Sequence, residues 1–69
     1  MRSWYTDKFG QTADLCLFLN GHHTRLRIRN TIGQIVHCFV YPSWDDALRS
    51  LSERGRNWRN DMTGLPLKL

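Results

Sequence analysis

At 69 residues the chain has room for one small domain with a thin core, because a domain of this size buries only roughly 60% of the surface its unfolded chain exposes. Hydrophobic residues at 41% and charged residues at 23% exclude wholesale disorder, and no apolar run approaches the ~20 residues of a membrane-crossing helix. The net charge is +4 and eight of the ten basic residues are arginine, whose planar fork suits phosphate and carboxylate, so the composition points to an anionic partner.

The opening residues MRSWYTDKFGQT mix aromatic and polar types without a period. They are expected to form an irregular lead-in over residues 1–12, with Trp4, Tyr5 and Phe9 as candidate core anchors. The stretch carries no apolar stretch of the signal-peptide type, so a cytoplasmic location is expected and no membrane partner.

Residues 13–19, ADLCLFL, run into Asn20-Gly21, a strong hairpin signal because both residues accept the positive φ of a type I′ turn. A two-residue loop there sets Leu17 opposite Thr24, Leu15 opposite Leu26 and Ala13 opposite Ile28, which makes one face apolar. The other face then holds Phe18 by His23, Cys16 by Arg25, and Asp14 by Arg27, an opposite-charge pair. Two independent patterns agree on this register.

Asn30 to Gln34 reads as a three-residue turn, with asparagine opening it and Gly33 in the left-handed position. The third strand, residues 35–41, is then expected to place Val36, Cys38 and Val40 in the core and His37, Phe39 and Tyr41 beside the arginines. A two-residue loop at Ile32-Gly33 is the alternative, and it would bury Phe39 and Tyr41 and expose the valines.

After Pro42, SWDDALRSLSERG carries a full set of helix signals: Ser43 as N-cap with Asp46 as its reciprocal partner, acids in the first turn, Arg54 near the end and Gly55 as the stop. Trp44, Ala47, Leu48 and Leu51 form its apolar stripe. RNWRNDM could restart a helix, since Trp58 and Met62 continue that stripe, and residues 63–69 are expected as an extended tail with Pro66 excluding helix.

The expected fold is therefore α+β, a single small domain over residues 1–69. It is a three-stranded antiparallel meander packed on one C-terminal helix through Leu15, Leu17, Leu26, Ile28, Val36, Cys38, Val40, Trp44, Leu48 and Leu51.

The residues offer little for catalysis. Cys38 and His37 are strand neighbours pointing to opposite faces, and Cys16 with His23 lacks an orienting group and an oxyanion donor, so no enzyme and no cofactor are expected. His22 and His23 alternate across the strand, which argues against a metal site. Cys16 and Cys38 are separated by a strand, roughly 10 Å apart, and are expected as free thiols. Asp45 and Asp46 are explained by the helix dipole.

What remains is the outer face. Arg25, Arg27 and Arg29, with His37, Phe39 and Tyr41 beside them, combine guanidinium groups with rings, as stacking on bases plus contact with phosphates requires. A sheet can also lay such arginines in a major groove. Arg54, Arg56 and Arg59 form a second basic cluster. The same face read as a protein-interaction surface, or as a plain wet surface, is the competing interpretation.

Gly21 to Val36, GHHTRLRIRNTIGQIV, resembles a segment in an uncharacterised family of short enterobacterial plasmid and prophage proteins, in which a similar strand, turn and strand is followed by a helix. It spans about a quarter of the chain, and the family brings no assigned activity. The order of three strands then a helix is similar to the arm-type DNA-binding domain of tyrosine recombinases, whose sheet enters the major groove; that likeness implies DNA binding by the sheet. Small phage proteins that inhibit host enzymes or defence complexes share the size and layout, which implies a protein partner instead. The expectation is a small accessory protein of a phage, prophage or plasmid, binding nucleic acid or a protein, with a homodimer as a further way to bury surface.

Overall fold

A computed structural model describes residues 1–55 and 57–67. The fold is α+β, with five antiparallel strands rather than three: β1 Arg2–Thr6, β2 Thr12–Leu17, β3 Thr24–Arg29, β4 Ile35–Tyr41 and β5 Arg59–Asn60, in the sheet order β4-β3-β2-β1-β5, with one helix, α1, over Trp44–Ser52. The first dozen residues are not an irregular lead-in. Arg2, Trp4 and Thr6 alternate with Ser3 and Tyr5 along β1, and Tyr5 alone of these five is buried, so the strand carries almost no hydrophobic pattern.

Asp7 makes the first turn. Its Oδ1 accepts from the backbone N–H of Phe9 at 2.9 Å and of Gln11 at 2.8 Å. At the second turn Asn20 Oδ1 accepts from the N–H groups of His22 and His23, and Gly21 takes a φ of 81°. Phe18 N–H bonds His23 C=O, so the loop is the four residues 19–22 and not Asn20-Gly21 alone. Lengthening by one residue on each side leaves the pairing intact, and Ala13↔Ile28, Asp14↔Arg27, Leu15↔Leu26, Cys16↔Arg25 and Leu17↔Thr24 all stand opposite each other.

The third turn has the expected chemistry and an unexpected consequence. Asn30 Oδ1 accepts from Ile32 and Gln34 N–H, Gly33 has a φ of 87°, and Arg29 pairs with Ile35. A β-bulge follows at once: Ile28 pairs with His37, leaving Val36 as the extra residue, and the rest of β4 is turned over. Leu26 faces Phe39 and Thr24 faces Tyr41, so His37, Phe39 and Tyr41 lie on the helix side and Cys38 and Val40 on the arginine side. The expected placement of Val36, Cys38 and Val40 in the core is overturned; all three are exposed.

Ser43, at φ −147° and ψ 165°, caps α1: its Oγ accepts from Asp46 N–H at 3.1 Å and donates to Asp46 Oδ2 at 3.0 Å. Gly55 at φ 64° and Asn57 at φ 54° then break the helical path, so the chain does not resume the helix. Trp58 still reaches the core, from an extended segment, while Met62 is 94% exposed. Asn60 Oδ1 accepts from Met62 and Thr63 N–H, and the tail folds back, with Asn60 N–H on Leu65 C=O and Leu67 N–H on Trp58 C=O.

The core between sheet and helix is Tyr5, Ala13, Leu15, Leu26, Ile28, Ala47, Leu51 and Trp58, flanked by partly buried Tyr41, Trp44, Leu48 and Leu67. Leu17 is half-buried. Because α1 covers this side only, no helix among the described residues lies over the other face of the sheet.

Candidate nucleic-acid interface

Residues directly opposite in antiparallel strands share a face, so the pairings define the open side. Arg2, Trp4 and Thr6 of β1 stand with Cys16, Asp14 and Thr12 of β2; these stand with Arg25, Arg27 and Arg29 of β3; Val40 and Cys38 of β4 continue the rows, and Arg59 of β5 joins opposite Thr6. The three β3 arginines follow one another at about 7 Å, two residues of strand rise each.

Only one of these five arginines is neutralised by an acid. Arg27 donates through Nη2 at 3.1 Å and Nε at 3.3 Å to Oδ2 of Asp14, which is 1% exposed beneath it. Arg29 Nη1 donates to Gly33 C=O at 2.9 Å, and Arg59 Nη1 to Gly64 C=O at 3.1 Å, contacts that steady the side chains and leave their charge unopposed. Arg2 lies against Cys16 Sγ at 3.7 Å and 5.9 Å from the centre of the Trp4 ring. Arg25 Nε is buried without a partner. Among the described residues the other ion pair, Arg49 with Asp46, is on the helix. Asp45, Asp46 and Glu53 sit on or beside α1, so the molecule is polarised, with cations on the open sheet face and acids concentrated on the helix layer.

The residues expected to act together are divided. Arg25, Arg27, Arg29 and Arg59 share the open face. His37, Phe39, Tyr41 and Arg54 are on the other side of the sheet, where Arg54 Nη2 lies 2.9 Å from His37 Nδ1, His37 Nε2 is 3.1 Å from Tyr41 Oη, and Tyr41 Oη is 2.6 Å from Ser50 Oγ. Burial, and then the charge of Arg54, holds the His37 pKa below its ordinary value. Phe39 and Tyr41 meet edge to face at 5.0 Å between ring centres. Arg56 lies outside the described residues.

The bulge accounts for the division, because a one-residue slip exchanges the faces. Arg2 and Trp4 belong to the open face and escaped the sequence reading. Their signal was the period of two in Arg2-Ser3-Trp4-Tyr5-Thr6.

Cys16 and Cys38 are free thiols on this same face, one on each side of β3. No group of three or more metal-ligating side chains occurs among the described residues. No helix of the described residues is long and apolar enough to cross a membrane. β4 forms one outer edge of the sheet and exposes Ile35, Val36, Phe39 and Val40.

Comparison with protein-family models, with curated proteins and with solved structures finds no match to this chain.

Proposed function

We propose that this chain is a non-enzymatic accessory protein that binds nucleic acid through the open face of its sheet. It would be of the phage, prophage or plasmid kind that the resemblance of its hairpin suggests. The observation that carries the reading is the set of Arg2, Arg25, Arg27, Arg29 and Arg59 on one uncovered face, with Arg27 alone paired to an acid. Arginine on a surface without a helix over it meets phosphates at little desolvation cost, and each phosphate neutralised releases counterions.

Titration of labelled oligonucleotides, single- and double-stranded, at increasing salt tests this. Affinity is expected to fall linearly on logarithmic axes, with Arg25→Gln, Arg29→Gln and Arg59→Gln each lowering the slope by roughly one. No retention on heparin and no oligonucleotide shift at low salt would sink the proposal.

A second reading rests on β4. A seven-residue outer strand with Ile35, Val36, Phe39 and Val40 exposed offers unpaired backbone groups and apolar surface for a protein partner or a second copy. Under that reading Phe39→Asp abolishes a complex or a dimer seen by sedimentation while the arginine variants leave it intact.

A further inference from the structure

At the opposite edge of the sheet, β5 pairs with β1 for two residues only, Asn60 against Tyr5 and Arg59 against Thr6. Asp61 N–H adds one more bond to Trp4 C=O, and the chain then turns away around Asn60, whose C=O accepts from Gly64 N–H. β1 runs on past this point. The result is a cleft of about 400 Å³ lined by Arg2, Ser3, Trp4, Asn60, Asp61 and Met62, within the small end of the range for ligand clefts.

Its chemistry is selective. Trp4 is 42% exposed and offers the face of an indole. Asp61 brings a carboxylate, held in place because Thr6 Oγ1 donates to its Oδ1 at 2.7 Å; both oxygens keep lone pairs for further donors. Arg2 lies beside the indole. The carboxylate disfavours an anionic occupant, the guanidinium disfavours a cationic one, and the ring favours a flat aromatic one. A neutral planar group with hydrogen-bond donors along one edge satisfies all three.

Resting on the nucleic-acid reading of the arginine face, we infer that the cleft formed by Trp4, Asp61 and Arg2 takes an unpaired guanine of a single strand. Guanine presents two adjacent donors, N1–H and the 2-amino group, on its Watson–Crick edge, which match the two oxygens of one carboxylate. Adenine and cytosine offer one amino group next to a ring acceptor that faces the carboxylate unfavourably, and thymine offers a single N–H between two carbonyls. In a duplex this edge is occupied by the pairing partner, so the occupant is single-stranded. The base stacks on Trp4, Arg2 meets the adjoining phosphate, and the strand continues across the arginine row.

The test is a panel of fluorescein-labelled nine-nucleotide thymidine oligomers with the central base replaced by guanine, hypoxanthine, adenine or cytosine, measured by anisotropy at low salt with the full chain. Guanine is expected to bind about tenfold tighter than thymine, and hypoxanthine, which lacks the 2-amino group, in between. Asp61→Asn brings the guanine-to-thymine ratio to within about twofold while all-thymidine binding is kept or rises, and Trp4→Ala weakens every oligomer, with Trp4→Phe restoring most of it. Equal binding of all five bases by the unaltered protein, with salt dependence intact, overturns the guanine cleft and leaves the arginine face standing. A guanine preference that survives Asp61→Asn overturns the assignment to this carboxylate. Failure of every oligomer to bind removes the nucleic-acid reading and this inference with it.

Discussion

Asp14 gives one carboxylate oxygen, Oδ2, to both Nη2 and Nε of Arg27, and leaves Oδ1 buried without a partner. The pair sits in the middle of the open face, with Asp14 sealed and the Arg27 side chain 23% exposed. Removing the arginine leaves an uncompensated charge in a site that water does not reach, which is worse than removing both groups. Arg27→Ala is therefore expected to cost about 2–4 kcal/mol, and the double variant Asp14→Ala/Arg27→Ala less than the sum of the two single ones. Urea unfolding of the four proteins measures the coupling; strictly additive losses would show that the pair contributes nothing to stability.

Thiol chemistry reports the orientation of β4. With Val36 as a bulge, Cys38 stands exposed on an outer strand, whereas Cys16 is half-buried between β1 and β3. Iodoacetamide under native conditions is expected to modify Cys38 several times faster than Cys16, since access limits a thiol of otherwise similar character. Peptide mass mapping of early time points decides it. Protection of Cys38 equal to that of Cys16 would restore the unbulged register, in which Cys38 is a core residue.

The hairpin of β2 and β3 was legible in the sequence because two codes coincide there. The alternation of Ala13, Leu15 and Leu17 against Leu26 and Ile28 fixes the register, and Asp14 against Arg27 fixes it again. The helix start was legible from Ser43 and Asp46 for a similar reason, since its cap is local chemistry. The orientation of β4 was not, because nothing in the identity of Val36 marks a bulge, and one extra residue exchanges the faces of every position after it. β1 was hidden because only Tyr5 of its residues is buried, and its outer neighbour arrives from the far end of the chain, with Thr6 bonding Asp61 across 55 positions. The arginine row was thus found from sequence, its aromatic companions were misplaced, and the cleft at Trp4 needed the fold.

His37 makes stability depend on pH. Its folded pKa is lowered, by burial first and by Arg54 second, so the unfolded chain takes up the proton more readily. The neutral ring is favoured above the ordinary histidine value of about 6.5, and the resulting stability is lost as pH falls through that value toward the lowered folded one, below which the effect levels off. Urea midpoints at pH 7.5 and pH 5.5 are expected to differ more for the unaltered protein than for His37→Gln. An identical drop in both would place the pH dependence elsewhere.

Trp58 is the largest core residue supplied from outside β1–β4 and α1, and its Nε1–H is buried with no acceptor. Two effects therefore oppose each other at one side chain. The ring fills space between sheet and helix, and truncating it to alanine is expected to cost about 3–5 kcal/mol, comparable to the whole stability of a domain this small, roughly 3–10 kcal/mol. The N–H acts the other way, because a buried donor without a partner costs about 1–3 kcal/mol. Trp58→Phe removes the donor while keeping an aromatic ring, and the lost volume and the relieved N–H nearly cancel, for a net cost of about 1 kcal/mol or less. Urea unfolding, followed by the fluorescence of Trp4 and Trp44, separates the two variants. Were Trp58→Phe to destabilise as much as Trp58→Ala, the indole N–H would have to be satisfied in solution and ring volume would not explain the site.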